Sequence, residues 1–470
     1  VRIPLGEAGP RALTFRVAPT AGERLEENNV RRALVRVEDR RDRILYVEGE
    51  PRWEVKFLRQ AAAEDENLEV VLYQRSADSR FLRLGVSDGD ELLAGFPRTR
   101  EELFRYQGLI LGSVEADFFT PDQLSMVRDF VSQRGGGFLM LGGRRAFGAG
   151  GYGGTPVEDA LPVSLQAGSA GAPVSFRVGP RGAGSAHPIT QIRDTDDESV
   201  AAWESLPPAM SAHPPMETKP GATVVLSGTP EVGGEEVPIL AVQRFGRGRA
   251  AALTVEDAWT WQFHHEVPVD DPSHERFWRQ LLRWMVEDVR RQVTAELPGE
   301  PTPPGTSMEV RATVDDTRYL ERNDGVVSAT VTGPSGEAVE LPLNWTVEED
   351  GVYAGTFTPS EEGTYEVQVE ARAGGEFIGT DVAYFRSAPS SRETFDPGMK
   401  RPLLERIARE TGGRFYTEST VSRLPRELSV RGGGITTVER LDVWDAPLFL
   451  ILLLGLLSGE WLVRRREGMA

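Results

Sequence analysis

The residues of this sequence that could do chemistry stand directly after two short apolar segments, residues 43–47 and 137–141. Two carboxylates follow the first segment, and a glycine pair with two arginines follows the second: Glu48, Glu50, Gly142, Gly143, Arg144 and Arg145. If both segments are parallel strands of one sheet, these residues meet at its carboxyl edge, where such sheets bind ligands. The arginines could then hold an anion by bidentate hydrogen bonds. Charged or flexible surface loops are the alternative interpretation of both groups.

A histidine pair, His264 and His265, precedes Glu266 later in the chain. A histidine beside a carboxylate can act as a general base that activates a nucleophile. The chain contains no cysteine, which excludes a thiol nucleophile, a thiolate metal site and disulfides. Ser113 follows an apolar segment, but the second glycine of a serine nucleophile elbow is missing. We therefore expect the histidines to lie on a loop without a catalytic role, and we expect no cofactor and no metal.

The acidic composition limits the classes of partner. The chain has 470 residues, with 53 Lys and Arg against 72 Asp and Glu, and its formal net charge is −19. A general nucleic-acid binder would need a basic surface, so we expect no nucleic-acid partner. The length predicts about three domains.

Strand and helix patterns alternate over residues 42–293, which must position the polar groups. Short apolar strands are predicted near residues 43–47, 68–73, 108–112 and 137–141. A helix is predicted to begin at Thr120, with proline next and Gln123 three residues on, the signature of a capping box. This alternation predicts parallel βαβ units in a doubly wound, flavodoxin-like α/β sheet.

The flanking regions have a different, two-residue periodicity that is typical of β-sandwiches. Residues 1–41 are interpreted as the end of an immunoglobulin-like β domain, and the chain is expected to be part of a longer protein. The remaining predicted segments are a Pro-rich linker at 294–306, an immunoglobulin-like sandwich at 307–388, and a small α/β segment with a juxtamembrane linker at 389–440.

Residues 446–463 form an apolar segment with one charge, Glu460. Its 18 residues would span about 27 Å as a helix, close to the thickness of a bilayer core. Trp444 and Trp461 stand where interfacial aromatics belong, and Arg464, Arg465 and Arg466 follow. The positive-inside rule then predicts a cytoplasmic tail at 464–470 and an extracytoplasmic location for the rest. A buried C-terminal helix of a soluble domain is the alternative.

Several motifs of the middle region together resemble one family. They are ILYVEGEP at 44–51, FP at 96–97, ELF at 102–104, GGGFLMLGG at 135–143, Tyr152, LP at 161–162, FGRGR at 245–249 and FWR at 277–279. This set resembles the class I glutamine amidotransferase-like domain of large bacterial membrane proteins, which often carry von Willebrand factor A or immunoglobulin-like domains.

Active members of this family resemble one another in a cysteine on a glycine-flanked turn, activated by a downstream His-x-Glu. In this sequence Gly142, Gly143 and Arg144 stand at that turn, and His264 to Glu266 resemble the activating group. The resemblance therefore implies a pseudoenzyme in the bacterial inner membrane that binds proteins or ligands. It also implies envelope partners, namely von Willebrand A-type proteins and a MoxR-type ATPase system. The alternative is a hydrolase or transferase with a non-thiol mechanism, in a cleft lined by Glu50, Arg144 and His265.

Overall fold

The computed structural model describes residues 6–21, 23, 26–77, 80–166, 168, 170–213, 216–389, 399–427 and 447–468. The chain divides into two compact units, residues 1–396 and residues 397–470.

The first unit begins with an antiparallel hairpin of β1 (Gly9–Arg16) and β2 (Val30–Val37), with Gly9 opposite Val37. The two strands form a sheet of their own. Within residues 1–41, expected to end an immunoglobulin-like domain, these are the strands that the structure describes.

A ten-stranded sheet follows. Its strands are β3 (Asp42–Glu48), β4 (Leu68–Ala77), β5 (Arg80–Leu84), β6 (Gly108–Leu111), β7 (Gly137–Leu141), β8 (Val174–Pro180), β9 (Ala209–Ser211), β10 (Thr223–Pro230), β11 (Val237–Phe245) and β12 (Gly248–Leu253). The spatial order is β5-β4-β3-β6-β7-β12-β11-β10-β8-β9. The predicted parallel pairing is confirmed for the five strands from β4 to β12 in this order.

The other half of this sheet is antiparallel, which the prediction of continued parallel units did not include. The physical reason is the length of the connections. β10, β11 and β12 are joined by turns at residues 231–236 and 246–247, and such short turns return the chain only in the antiparallel direction.

Within the described residues of this region, seven α-helices accompany the sheet: α1 (Trp53–Ala63), α2 (Arg100–Leu103), α3 (Pro121–Ser132), α4 (Pro156–Ala160), α5 (Asp196–Ser205), α6 (Thr260–Phe263) and α7 (Ser273–Val286). On β3, Ile44 and Tyr46 share one buried cluster with residues of α1 and α7, and Leu45 and Val47 share another with α3. Successive side chains of β3 thus enter opposite cores, which explains its wholly apolar centre. The predicted capping box at Thr120 is present.

The C-terminal part of the first unit is an antiparallel sheet of seven strands. They are β13 (Val293–Glu296), β14 (Met308–Val314), β15 (Gly325–Thr332), β16 (Ala338–Trp345), β17 (Val352–Phe357), β18 (Gly363–Ala373) and β19 (Glu376–Ser387), in the order β13-β14-β17-β16-β15-β18-β19. β13 also packs against β18 and β19, so the two edges meet around one core. The predicted linker at 294–306 is wrong at its start, because residues 293–296 pair with β14 and Val293 is buried.

The second unit contains α8 (Arg401–Glu410), α9 (Leu424–Glu427) and α10 (Pro447–Arg466). A small α/β segment was expected at 389–440, but described residues 399–427 contain helices and no strand. A single strand there would leave its backbone groups without a hydrogen-bonding partner.

Helix α10 is long and apolar enough to cross a bilayer, with a mean hydropathy of 1.7 over an 18-residue window. At its end Glu460 pairs with Arg464 over 2.7 Å, and Arg465 lies over the ring of Trp461. Trp444, predicted as an interfacial residue, lies outside the described residues.

Candidate functional site

The candidate site lies at the carboxyl ends of β3, β6 and β7, three adjacent parallel strands. The chain leaves β3 toward β4 on one side, and β6 lies on its other side, so the strand order reverses here. In open α/β sheets ligands bind at such a reversal. Glu48 is the last residue of β3, Ser113 lies two residues after β6, and Gly142 directly follows β7.

Glu48 is the buried anion at the centre of this edge, with 1% of its surface exposed. Its carboxylate accepts hydrogen bonds from the Tyr46 hydroxyl at 2.8 Å, Arg52 Nη2 at 2.7 Å and the Ser113 amide at 2.9 Å. Burial alone would lower the pKa of Arg52, but the Glu48 carboxylate outweighs that effect and raises it. The pair is therefore a hydrogen-bonded buried ion pair, the arrangement that burial of charge requires.

Arg52 also closes the turn after β7, because its Nη1 group donates to the Gly142 carbonyl at 2.6 Å. The glycines of this turn have no space for a side chain. A Cβ at Gly142 would lie 2.4 Å from the Thr254 carbonyl oxygen, and a Cβ at Gly143 would lie 2.6 Å from Ser113 Cβ. The turn that resembles a nucleophile elbow is thus packed against its neighbours at Gly142 and Gly143, while Arg144, the third residue of the turn, is exposed.

Ser113 connects Glu50 to the arginine pair. Its hydroxyl donates to a Glu50 carboxylate oxygen and accepts from the Arg145 amide, the latter at 3.1 Å. Gly49 permits this close approach, because a Cβ there would lie 2.1 Å from the Ser113 carbonyl oxygen. Ser113 itself is completely buried.

Charged residues form the outer rim of the site. Arg75 makes a bidentate pair with Glu115, with both Nη groups at 2.7 Å, and Arg145 Nη1 reaches the same carboxylate at 3.4 Å. The hydrogen bonds from Arg75 lower the pKa of Glu115 to about 2. Arg144 and Arg145 are exposed, so the rim presents guanidinium groups to solvent.

His213 lies behind the turn, where the Gly143 amide donates to its Nε2 at 3.3 Å. Its ring meets Phe147 edge-on at 5.0 Å between centroids. Burial lowers the pKa of His213 to about 4, so the imidazole is neutral at pH 7 and acts here as an acceptor.

The histidine pair predicted from the sequence lies on the loop between α6 and α7. His264 Nδ1 is 3.8 Å and His265 Nε2 is 4.0 Å from a Glu266 carboxylate oxygen. The His265 side chain is 81% exposed. Their described contacts are with each other and with Glu266, and none joins them to the turn at Gly142–Arg145.

The structure therefore brings together Glu48, Glu50, Gly142, Gly143 and Arg145, and it leaves His264, His265 and Glu266 apart from them. Four further residues complete the group: Arg52, Ser113, Arg75 and Glu115. Ser113 and Glu115 lie two and four residues after the apolar strand β6, and that position could have predicted them. His213 gave no such signal, since it stands in a loop between β9 and β10.

Chemically, the group is a set of mutually satisfied charges with an exposed basic rim. Among the residues that the structure describes, no cluster of three or more His, Cys, Asp or Glu side chains could hold a metal ion. Asp196 and Asp197 are neighbouring carboxylates, but they lie in the first turn of α5. There the helix dipole stabilises their negative charge without a metal ion.

The family described as "putative glutamine amidotransferase" matches residues 90–287. The chain therefore contains a glutamine amidotransferase-like domain, and the match includes the turn at Gly142 but not Glu48 or Arg52. No curated protein matches the chain in sequence.

Three solved structures that are similar to parts of this chain have low TM-scores. The Lin-41 filamin domain is 18% identical, with a TM-score of 0.18, and the match covers 21% of this chain and 95% of that one. The exo-beta-1,4-mannosidase Op5Man5 from Opitutaceae bacterium strain TAV5 is 13% identical, with a TM-score of 0.28, and the match covers 53% of this chain and 36% of that one. The Escherichia coli adhesin FdeC is 17% identical, with a TM-score of 0.17 and coverage of 37% and 42%.

Proposed function

We propose that this chain is a membrane-anchored pseudoenzyme whose amidotransferase-like domain binds an envelope protein or ligand and does not catalyse. The observation that carries the proposal is the packed glycine turn after β7. The chain has no cysteine, and the nearest atoms to Gly142 and Gly143 leave no volume for any side chain.

The surroundings of the turn support the same proposal. In a working thiol site the base must reach the nucleophile by a hydrogen bond. Here the groups that reach the turn are Arg52, which is held by Glu48, and His213, whose pKa is lowered to about 4. His213 is a neutral acceptor for a backbone amide, and the guanidinium of Arg52 is paired with Glu48. Both arrangements fit a structural function.

The anchoring part of the proposal rests on α10. Its composition suits a membrane span, and the three arginines at its end favour a cytoplasmic C-terminus by the positive-inside rule. We therefore propose an inner-membrane protein of a bacterium with the amidotransferase-like domain outside the membrane.

The finer fold assignments belong to this proposal. The order β4-β3-β6-β7-β12 of the parallel strands supports a flavodoxin-like core. The closed antiparallel sheet of β13 to β19 supports an immunoglobulin-like sandwich. Partners of the von Willebrand A and MoxR types are proposed from the resemblance to the family.

The proposed binding surface is the basic rim, so the test removes Arg144 and Arg145 together. The full chain, tagged and extracted in detergent from its own membranes, is used to recover partners. We expect an envelope protein whose recovery falls at least tenfold with R144A/R145A. The control is R177A/R181A, which removes the same charge near β8, four strands from β7. Equal recovery with both double variants would contradict binding at the rim.

A hydrolase with a non-thiol mechanism is the second candidate, favoured by the hydrogen bond between the Ser113 hydroxyl and the Glu50 carboxylate. A serine activated by a carboxylate could attack an amide or ester. This candidate requires the buried Ser113 to become accessible. It predicts hydrolysis that is lost in S113A and in E50Q, and, if His265 is the base, also in H265A.

A further inference from the structure

A second polar cavity lies at the opposite end of β3, where the α/β domain meets the seven-stranded domain. Its volume is about 350 Å³. Gln107 and Arg134 of the α/β domain line one side, and Tyr319 and Thr380 of the seven-stranded domain line the other. Ligand sites of proteins often lie at such domain junctions.

The lining is strongly basic, in a chain whose formal net charge is −19. Five arginines and one carboxylate line the cavity: Arg40, Arg41, Arg134, Arg290, Arg291 and Asp42. Three of the arginines are paired, Arg40 with Asp42 at 2.7 Å, Arg290 with Asp315 at 2.8 Å and Arg291 with Asp381 at 2.9 Å. Arg41 and Arg134 make no carboxylate contact within the described part of the chain.

Arg134 is the central group, because only 1% of its surface is exposed. Its Nε donates to the Phe104 carbonyl at 3.1 Å, and its Nη1 donates to the Arg290 carbonyl. The Nη2 group has no hydrogen-bond partner among the described residues. Burial lowers the pKa of Arg134 to about 10, and nearby Asp42 and Asp315 offset this cost of burying a cation only in part.

Tyr319 holds this guanidinium in place. The Arg134 Cζ atom lies 4.1 Å above the centre of its ring, a cation–π contact. The backbone of Tyr319 has a φ of 59°, a left-handed conformation that non-glycine residues rarely adopt. Residues in such conformations cluster at ligand sites, where the surrounding structure maintains them.

We propose that this cavity binds a small oxyanion, a carboxylate or phosphate compound, through Arg134 Nη2 and Arg41. The anion would supply the charge and the acceptor that Arg134 lacks. Because residues of both domains line the cavity, a bound anion would also lie at their junction. This site is independent of the glycine turn and of the function proposed above.

The test uses the full chain in detergent, with inorganic phosphate in one arm and malonate in the other, at constant ionic strength set with sodium chloride. Calorimetric titration gives the affinity, and thermal unfolding gives the stabilisation that binding must produce. We expect saturable binding of one of the two anions, about tenfold weaker in R41Q and absent in R134Q. R177Q, which changes an exposed arginine of β8, should bind as the wild type does.

R41Q decides the result even if R134Q does not fold, since Arg41 is exposed. The arm with the tighter binding distinguishes phosphate from carboxylate. Stabilisation no greater than that by chloride, or equal affinity in R41Q and R177Q, would overturn the proposal.

Discussion

The guanidinium of Arg52 donates to the carbonyl oxygen of Gly142 over 2.6 Å, so the residue that immediately precedes α1 closes the turn that follows β7. The same guanidinium holds the buried carboxylate of Glu48 at 2.7 Å. One side chain therefore joins the ends of β3 and β7. This relationship makes Arg52 a structural residue, and its removal should change stability.

Replacing Arg52 should destabilise the fold, because Glu48 would remain buried without its cation. We expect R52M to lower the free energy of unfolding by about 3 kcal/mol. R59M is the control, since Arg59 lies on the same helix and makes no ion pair among the described residues. Chemical denaturation of the two variants measures the difference. Equal stability of R52M and R59M would show that the ion pair contributes little.

Introducing a cysteine at position 143 should not restore a nucleophile elbow. In G143C the new Cβ would lie 2.6 Å from Ser113 Cβ, and we expect a loss of about 1–3 kcal/mol of stability without glutamine hydrolysis. G153C is the matched control, because a Cβ at Gly153 meets no atom within 4 Å. Thermal unfolding and ammonia release are measured on both. A G143C variant as stable as G153C would mean that the turn has room for a nucleophile.

The buried carboxyl of Glu54 should contribute a loss of stability as the pH rises from about 5 to 8. Burial raises the pKa of Glu54 to about 8 from an ordinary value near 4.5. In that window the folded chain keeps a proton that the unfolded chain loses, so raising the pH favours unfolding. E54Q should be more stable than the wild type at pH 8 and should lack this part of the pH dependence. Unfolding midpoints from pH 5 to pH 9 give the comparison.

Two buried histidines should oppose this trend on the acidic side. Burial lowers the pKa of His274 to about 3 and of His213 to about 4. Below their ordinary value of 6.5 the unfolded chain takes up protons that the folded chain does not, so stability is lost as the pH falls below 6.5. The wild type should therefore be most stable near neutral pH. A stability that only rises or only falls with pH would contradict the combined effect of Glu54, His213 and His274.

The absence of native cysteine permits a direct test of topology. V269C places one thiol on a residue that is 94% exposed, and G468C places one after α10. In spheroplasts of a bacterial host, a membrane-impermeant maleimide should label V269C at once and G468C only after lysis. The reverse pattern would overturn the proposed orientation. Labelling of both before lysis would show that α10 does not span the membrane.

The parallel half of the sheet could be predicted because its strands are buried on both faces and carry a simple apolar signal. The antiparallel half was missed, since its direction depends on short turns and not on strand composition. At the site, the sequence located Glu48, Glu50 and the glycine turn by their position after strands. The filling of the turn by Arg52 and Ser113 depends on tertiary distances, which no local pattern encodes. His213 illustrates the same limit.

The proposal that the amidotransferase-like domain does not catalyse is best checked by measuring glutamine hydrolysis by the purified full chain. Ammonia release is measured with the wild type, S113A and E50Q, each in detergent at pH 7. A pseudoenzyme should give a rate equal to the protein-free background in all three samples. Release by the wild type that S113A or E50Q abolishes would contradict the proposal, because the packed site would then be a working one.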